Sequence, residues 1–154
     1  MPHTNVQFSV AAHILAVMAY NVGEELTSGF LAQSVNADPT FVRRTLAKLS
    51  KAGLVTSTRG RNGSCSLARS ADRISLLDIY RASEAPPAFT VHKYPIALSC
   101  PVSCNIKGSM ADVLESAQAG LEKSLSQQTL ADLTHNIKAA ESSPRADRKT
   151  RLPH

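Results

Sequence analysis

A change of hydropathy period at Gly53 constrains the fold of this chain more than any other feature. Up to that residue the apolar positions recur at helical spacing, and after it they alternate. Asp38 is a favourable N-cap, and Pro39 follows at the first helical position, where a missing N–H costs nothing. Gly53 closes the same helix. At about 100° per residue, Val42, Leu46 and Leu49 fall within about 60° of one another. Thr40, Arg44, Ala47 and Lys51 point the other way, with Arg43 and Lys48 on the flanks. Beyond Gly53, residues 54–59 and 65–69 read as two short strands joined by Gly60-Arg61-Asn62-Gly63-Ser64, whose glycines and Asn tolerate a hairpin's positive φ.

The remaining segments surround this unit with helices. Phe8, Ile14, Val17 and Met18 predict a helix from about Ser9 to Tyr20, stopped by Asn21-Val22-Gly23. Thr27 or Ser28 caps a short second helix bearing Phe30, Leu31, Ala32 and Val35, and Asn36-Ala37-Asp38 makes a tight turn. Ser75 and Asp78 form a capping box for a helix over about Leu76–Glu84, with Ile74 and Ile79 placed as a hydrophobic staple. Pro86, Pro87, Pro95 and Pro101 predict a loop reaching to about Cys104. A long helix follows, Asn105 to Ser126, whose Ile106, Met110, Val113, Leu114, Ala117, Leu121 and Leu125 form a stripe about 120° wide. Thr129 and Asp132 cap a last helix near Leu130–Ala140, and the segment from Ser142 reads as a disordered basic tail. The fold class is mainly α with a small two-stranded wing. It divides into a winged helix-turn-helix over 1–84, a cysteine-containing loop over 85–105, a long and a closing helix over 106–140, and the tail over 141–154.

Charge gives this architecture a partner. Arg43 to Arg73 holds eight bases against one acid, Asp72, a local +7, whereas the whole chain carries only +5. A basic block on a near-neutral background is the electrostatic footprint of a polyanion-binding surface, here double-stranded DNA. Arg43 and Arg44 are the candidates for base edges, since a guanidinium matches guanine in a planar fork. Lys48, Lys51, Arg59 and Arg61 suit phosphates, and Thr40 and Asn62 complete the candidate contact set. No run of 18 apolar residues occurs and the N-terminus has no basic region before an apolar stretch, so neither a membrane span nor a secretory signal is expected. The expected location is the cytoplasm.

Several stretches also carry a resemblance: Leu31 to Val35, Pro39 to Leu49, Ala52 to Val55, Gly60-x-x-Gly63 with Leu67-Ala68-Arg69, Ile74 to Ala82, Cys100 to Ile106, and Thr129 to Leu133. Together they resemble the winged-helix transcriptional regulators typified by the iron–sulfur cluster regulator IscR and the nitric-oxide sensor NsrR. The resemblance implies a homodimer bound to a near-palindromic operator, usually as a repressor. It also implies that the Ile106–Leu125 stripe is the dimerisation surface.

The cysteines separate the alternatives within that family. Members with a cluster carry three cysteines in the loop before the dimerisation helix, whereas this chain has two, Cys100 and Cys104, with Cys65 in the wing strand. A thiol switch on Cys100 and Cys104 is one reading, and inert cysteines with an unknown effector are another. An iron–sulfur cluster on Cys100, Cys104 and a further ligand such as His92 is the third, and the expectation is no cofactor. No Gly-rich phosphate loop, His-Glu metal pair or serine elbow points to an enzyme. A winged helix that docks protein remains the competing binding module, and the basic block argues against it.

Overall fold

Helix α1 (Gln7–Tyr20) carries apolar residues round most of its circumference, and such a helix is stable only inside a core. Ala11, Ile14, Leu15, Ala16, Met18 and Ala19 are buried, and helices α2 (Ser28–Val35), α3 (Pro39–Lys51), α4 (Leu76–Ala82) and α6 (Leu130–Glu141) all pack on it. The computed structural model describes residues 5–58 and 63–143. Leu31 from α2, Val42 and Leu49 from α3, Ile79 from α4, and Leu54, Ile74 and Leu130 are the other large apolar side chains fully buried among the described residues.

Local signals set the ends of these elements. Thr27 caps α2 by accepting the Phe30 N–H at 3.2 Å, and Asn36 ends it in the left-handed region. At the end of α3, Gly53 stands at φ +76. The Gly53 N–H donates to the Ser50 carbonyl at 3.0 Å and the Leu54 N–H to the Leu49 carbonyl at 3.0 Å. Those two bonds, with Leu49 and Leu54 both buried, make a complete Schellman stop. Strands β1 (Val55–Ser57) and β2 (Cys65–Leu67) then pair antiparallel, with Val55 opposite Leu67 and Ser57 opposite Cys65. They are shorter than the sequence pattern suggests, and Arg59 of the expected first strand, with Gly60, Arg61 and Asn62 of the expected Gly60–Ser64 connection, lies outside the described residues. Leu26, in the α1–α2 connection, exchanges both backbone bonds with Cys65, so the wing is anchored to the helical body.

Both expected capping boxes are formed, Ser75 with Asp78 at α4 and Thr129 with Asp132 at α6. Between them a single bridge joins Ser75 to Thr129, the Leu76 N–H reaching the Gln128 carbonyl and the Leu130 N–H the Ile74 carbonyl, each at 2.8 Å. This junction returns the chain from helix α5 (Pro101–Ser126) to the core, where Leu130 is fully buried beside α1.

Helix α5 begins four residues before the expected Asn105. The sequence pattern places Pro101 in the loop, yet a proline is well suited to the first position of a helix. Cys100 supplies the cap, its Sγ accepting the Ser103 N–H at 3.4 Å, so Cys104 lies on the helix rather than in the loop before it. Helix α4 is shorter than expected. It ends at Ala82 because the Ser83 hydroxyl turns back onto the Tyr80 carbonyl at 2.7 Å and Glu84 enters the left-handed region at φ +55. The tail residues 144–154 lie outside the described residues.

Candidate nucleic-acid interface

The geometry of α3 follows from its two ends. Asp38 Oδ1 accepts the N–H groups of Phe41 at 3.2 Å and Thr40 at 2.8 Å, and these bonds hold its carboxyl below the ordinary aspartate value. With the Schellman stop at the other end, the helix is fixed as a rod, and Val42, Leu46 and Leu49 pin one side of it to the core. Thr40, Arg43, Arg44, Ala47 and Lys51 are exposed on the remaining surface, as the sequence pattern requires. The Arg43 guanidinium touches the Thr40 hydroxyl at 3.5 Å. Arg44 and Lys51 make no side-chain hydrogen bond or ion pair among the described residues. Lys48 is different, because its ammonium lies 3.4 Å from the Glu84 carboxylate.

The wing stands beside this face. Hydroxyl pairs cross the hairpin, Thr56 with Ser66 at 3.1 Å and Thr58 with Ser64 at 3.0 Å, and they hold the two strands together towards the tip. A groove of about 350 Å³ separates wing from helix, lined by Arg43, Leu46, Ala47 and Ser50 on one side and Ser57, Thr58 and Cys65 on the other. Arg59, Arg61 and Asn62, the wing residues expected to contact DNA, lie outside the described residues. A helix about 10–12 Å across fits a major groove about 12 Å wide, and α3 offers it free cationic donors with the wing alongside. The sequence reading missed Glu84, which nothing in the local pattern links to Lys48, and the Leu26–Cys65 bridge, which joins residues 39 positions apart.

The second feature is α5. Leu125 is buried, and Ile106, Leu114 and Leu121 are half-buried, whereas Met110, Val113 and Ala117 of the same stripe are exposed in the single chain. At its start both thiols are exposed. Besides the Cys100 cap, the Cys104 thiol lies 3.7 Å from the Leu98 carbonyl and 3.9 Å from that of Ala97, and the Ala97 N–H donates to the Ser103 hydroxyl at 2.8 Å. The segment before the helix is thus folded onto its first turn by residues 100–104. Iron–sulfur clusters are commonly held by four cysteine-class ligands. Here one chain brings two thiols together, Cys65 is buried in the wing, and no group of three or more His, Cys, Asp or Glu gathers among the described residues. The described residues of one chain therefore do not by themselves fit a cluster. No helix among the described residues is long and apolar enough to cross a membrane.

Comparison with known proteins agrees with this geometry. Residues 4–136 match the Rrf2 family model, described as an iron-dependent transcriptional regulator. YwnA of Bacillus subtilis (strain 168), named as an HTH-type transcriptional regulator, is 35% identical over 134 residues, 86% of this chain and 98% of its own. A crystal structure of a transcriptional regulator from Lactobacillus plantarum superposes with a TM-score of 0.75 at 27% identity, covering 88% of this chain and 91% of the other. IscR of T. potens shares the fold with a TM-score of 0.67 at 21% identity, over 94% of this chain and 95% of its own. With its winged helix-turn-helix and a family match over most of its length, the chain belongs to the Rrf2 family of DNA-binding transcriptional regulators.

Proposed function

We propose that this regulator works as a homodimeric repressor in the cytoplasm, placing α3 of each protomer in the major groove of a near-palindromic operator. The observation that carries the reading is the free cationic face of α3, Arg44 and Lys51 above all, set beside an anchored wing. Arg43 and Arg44 read base edges, and Thr40 and Lys51 contact the backbone. The exposed Met110, Val113 and Ala117 of α5 are covered by the second copy. Fluorescence anisotropy on duplexes selected from a random library tests the assignment. Arg43→Ala or Arg44→Ala costs about 1–3 kcal/mol on the selected operator and relaxes specificity at one position. An equal loss on every sequence identifies these residues as phosphate contacts instead, and binding that is indifferent to salt removes the DNA reading.

A second reading concerns the signal. The Cys104 thiol bonds the segment before α5 and the Cys100 sulfur caps the first turn of the helix, so oxidation of the pair to a disulfide by a peroxide would loosen that junction. Two thiols give up two protons and two electrons, and the peroxide is reduced to water and the corresponding hydroxyl compound. DNA binding that changes on peroxide treatment of the wild type, but not of Cys100→Ser, supports it; unchanged wild-type binding refutes it.

A further inference from the structure

Glu84 combines two features that its sequence context does not require. Its carboxylate lies 3.4 Å from Lys48 on the recognition helix. Its backbone stands at φ +55, a conformation that a side chain such as glutamate adopts only when its surroundings impose it. Asn36 is the other non-glycine residue with positive φ among the described residues, and Asn at a helix end is an ordinary occupant of that region.

Hydrogen bonds on both sides impose the conformation. The Glu84 N–H donates to the Arg81 carbonyl at 3.1 Å. The buried Ser83 hydroxyl donates to the Tyr80 carbonyl and accepts the Ala85 N–H at 3.3 Å. The Tyr80 hydroxyl donates to the Pro86 carbonyl at 3.3 Å and accepts from Gln118 Nε2 of α5 at 2.8 Å. Gln118 Oε1 in turn accepts the Ala88 N–H at 3.2 Å. Glu84 is therefore held by a network that includes α5 and the start of the segment leading to Cys100.

We propose that Glu84 is a positioning residue for the DNA-binding face: it withholds Lys48 from phosphate, and its hold on Lys48 depends on how α5 and residues 85–88 are seated. The inference rests on the DNA-binding reading above. Lys48 occupies the flank of α3 away from the groove that Arg43 and Ala47 share with the wing. Its side chain is one-third exposed, whereas a phosphate contact needs an ammonium free to extend. Release of Glu84 adds one cation to the interface, and a change in the seating of α5 reaches the recognition helix by this route.

The test is the salt dependence of binding to a mixed-sequence duplex of about 30 base pairs, because each phosphate contact contributes about 0.9 to the slope of log K against log salt, whatever the sequence. Glu84→Gln keeps the size and the backbone of the site but removes the charge, and it is expected to steepen the slope by about 0.9. Lys48→Gln leaves the wild-type slope unchanged and cancels the gain in the Glu84→Gln background. Gln118→Ala steepens the slope in the wild type and adds nothing to Glu84→Gln. Thermal melts of each variant confirm folding. A Glu84→Gln slope equal to that of the wild type overturns the proposal, as does a wild-type slope that falls by about 0.9 on Lys48→Gln. A steepening by Gln118→Ala that persists in Glu84→Gln overturns the link to α5. A wild type without salt-dependent binding overturns the DNA reading itself and this inference with it.

Discussion

Gly53 offers a clean test of how the recognition unit is held, because its surroundings separate backbone strain from steric clash. A Cβ built on Gly53 meets nothing within 4 Å, so Gly53→Ala introduces no collision. Its φ of +76 nevertheless lies where an alanine pays about 1–2 kcal/mol. The substitution also restricts the unfolded chain, which returns about 0.4–1 kcal/mol. The expected net effect is a destabilisation of about 1 kcal/mol, or roughly 2–4 °C in Tm for a chain of this size. Gly108 supplies the control: it lies in the interior of α5, also with open space around it, and has no positive φ. Gly108→Ala is expected to stabilise by up to about 1 kcal/mol through helix propensity alone. Urea unfolding at one fixed protein concentration measures both, with equal m-values as the condition for comparison. Two substitutions with the same chemistry and the same empty surroundings should then differ in sign. A Gly53→Ala variant as stable as the wild type, or more so, would refute the Schellman stop as the device that turns α3 into β1.

Other perturbations address the remaining parts of the fold. Val113→Asp, at a position 58% exposed in the single chain, should leave folding intact while giving a monomer with weak operator binding; a dimer of unchanged mass in light scattering would reject the assigned surface. Ser75→Ala removes the side-chain acceptor for the Asp78 N–H and should cost about 1 kcal/mol in urea unfolding. The Asp38 carboxyl, lowered by the N–H groups of Phe41 and Thr40, contributes stability that is fully present above its unfolded value near 3.8 and is lost as pH falls through the lower folded value. Asp38→Asn should therefore flatten the acid limb of a stability profile below about pH 4, and an unchanged limb would show that other carboxyls dominate it.

What was legible in the sequence was whatever a few neighbouring residues decide. Asp38-Pro39, Gly53, and the Ser75/Asp78 and Thr129/Asp132 boxes each place a polar group or a permissive backbone within four residues of the group that needs it, so pattern and outcome agree. The start of α5 was misplaced because Pro101 carries two meanings, loop marker and first helical residue, and only the cap supplied by Cys100 selects the second. The Leu26–Cys65 bridge, the Ser75–Thr129 bridge and the Lys48–Glu84 pair were illegible for another reason. Each joins segments far apart in the chain, and an isolated bridge has no periodicity to announce it. The apolar stripe of α5 was legible as a stripe, whereas its division into buried Leu125 and exposed Val113 follows from where α4 ends.

These long-range contacts bear on how a small winged helix achieves a fixed register on DNA. A recognition helix can be displaced along its axis, rotated about it or tilted, and the core contacts of Val42, Leu46 and Leu49 alone resist chiefly rotation. The two caps oppose displacement. Tilt is opposed from both flanks, by the wing anchored through Leu26 on one side and by Glu84 in the turn after α4 on the other. Half-sites recognised by a dimer lie about 34 Å apart, and a 26-residue helix is about 39 Å long, so α5 has the reach to set that spacing in the proposed dimer. Spacing set along α5 is useful only if each head keeps a fixed angle to it. The Tyr80–Gln118 bond at 2.8 Å links α4 to α5 close to Glu84, and the Arg81–Glu122 ion pair at 3.9 Å joins the same two helices. Register within a half-site and spacing between half-sites thus meet at the same few residues, which is where a signal acting on the cysteine end of α5 would have the greatest leverage.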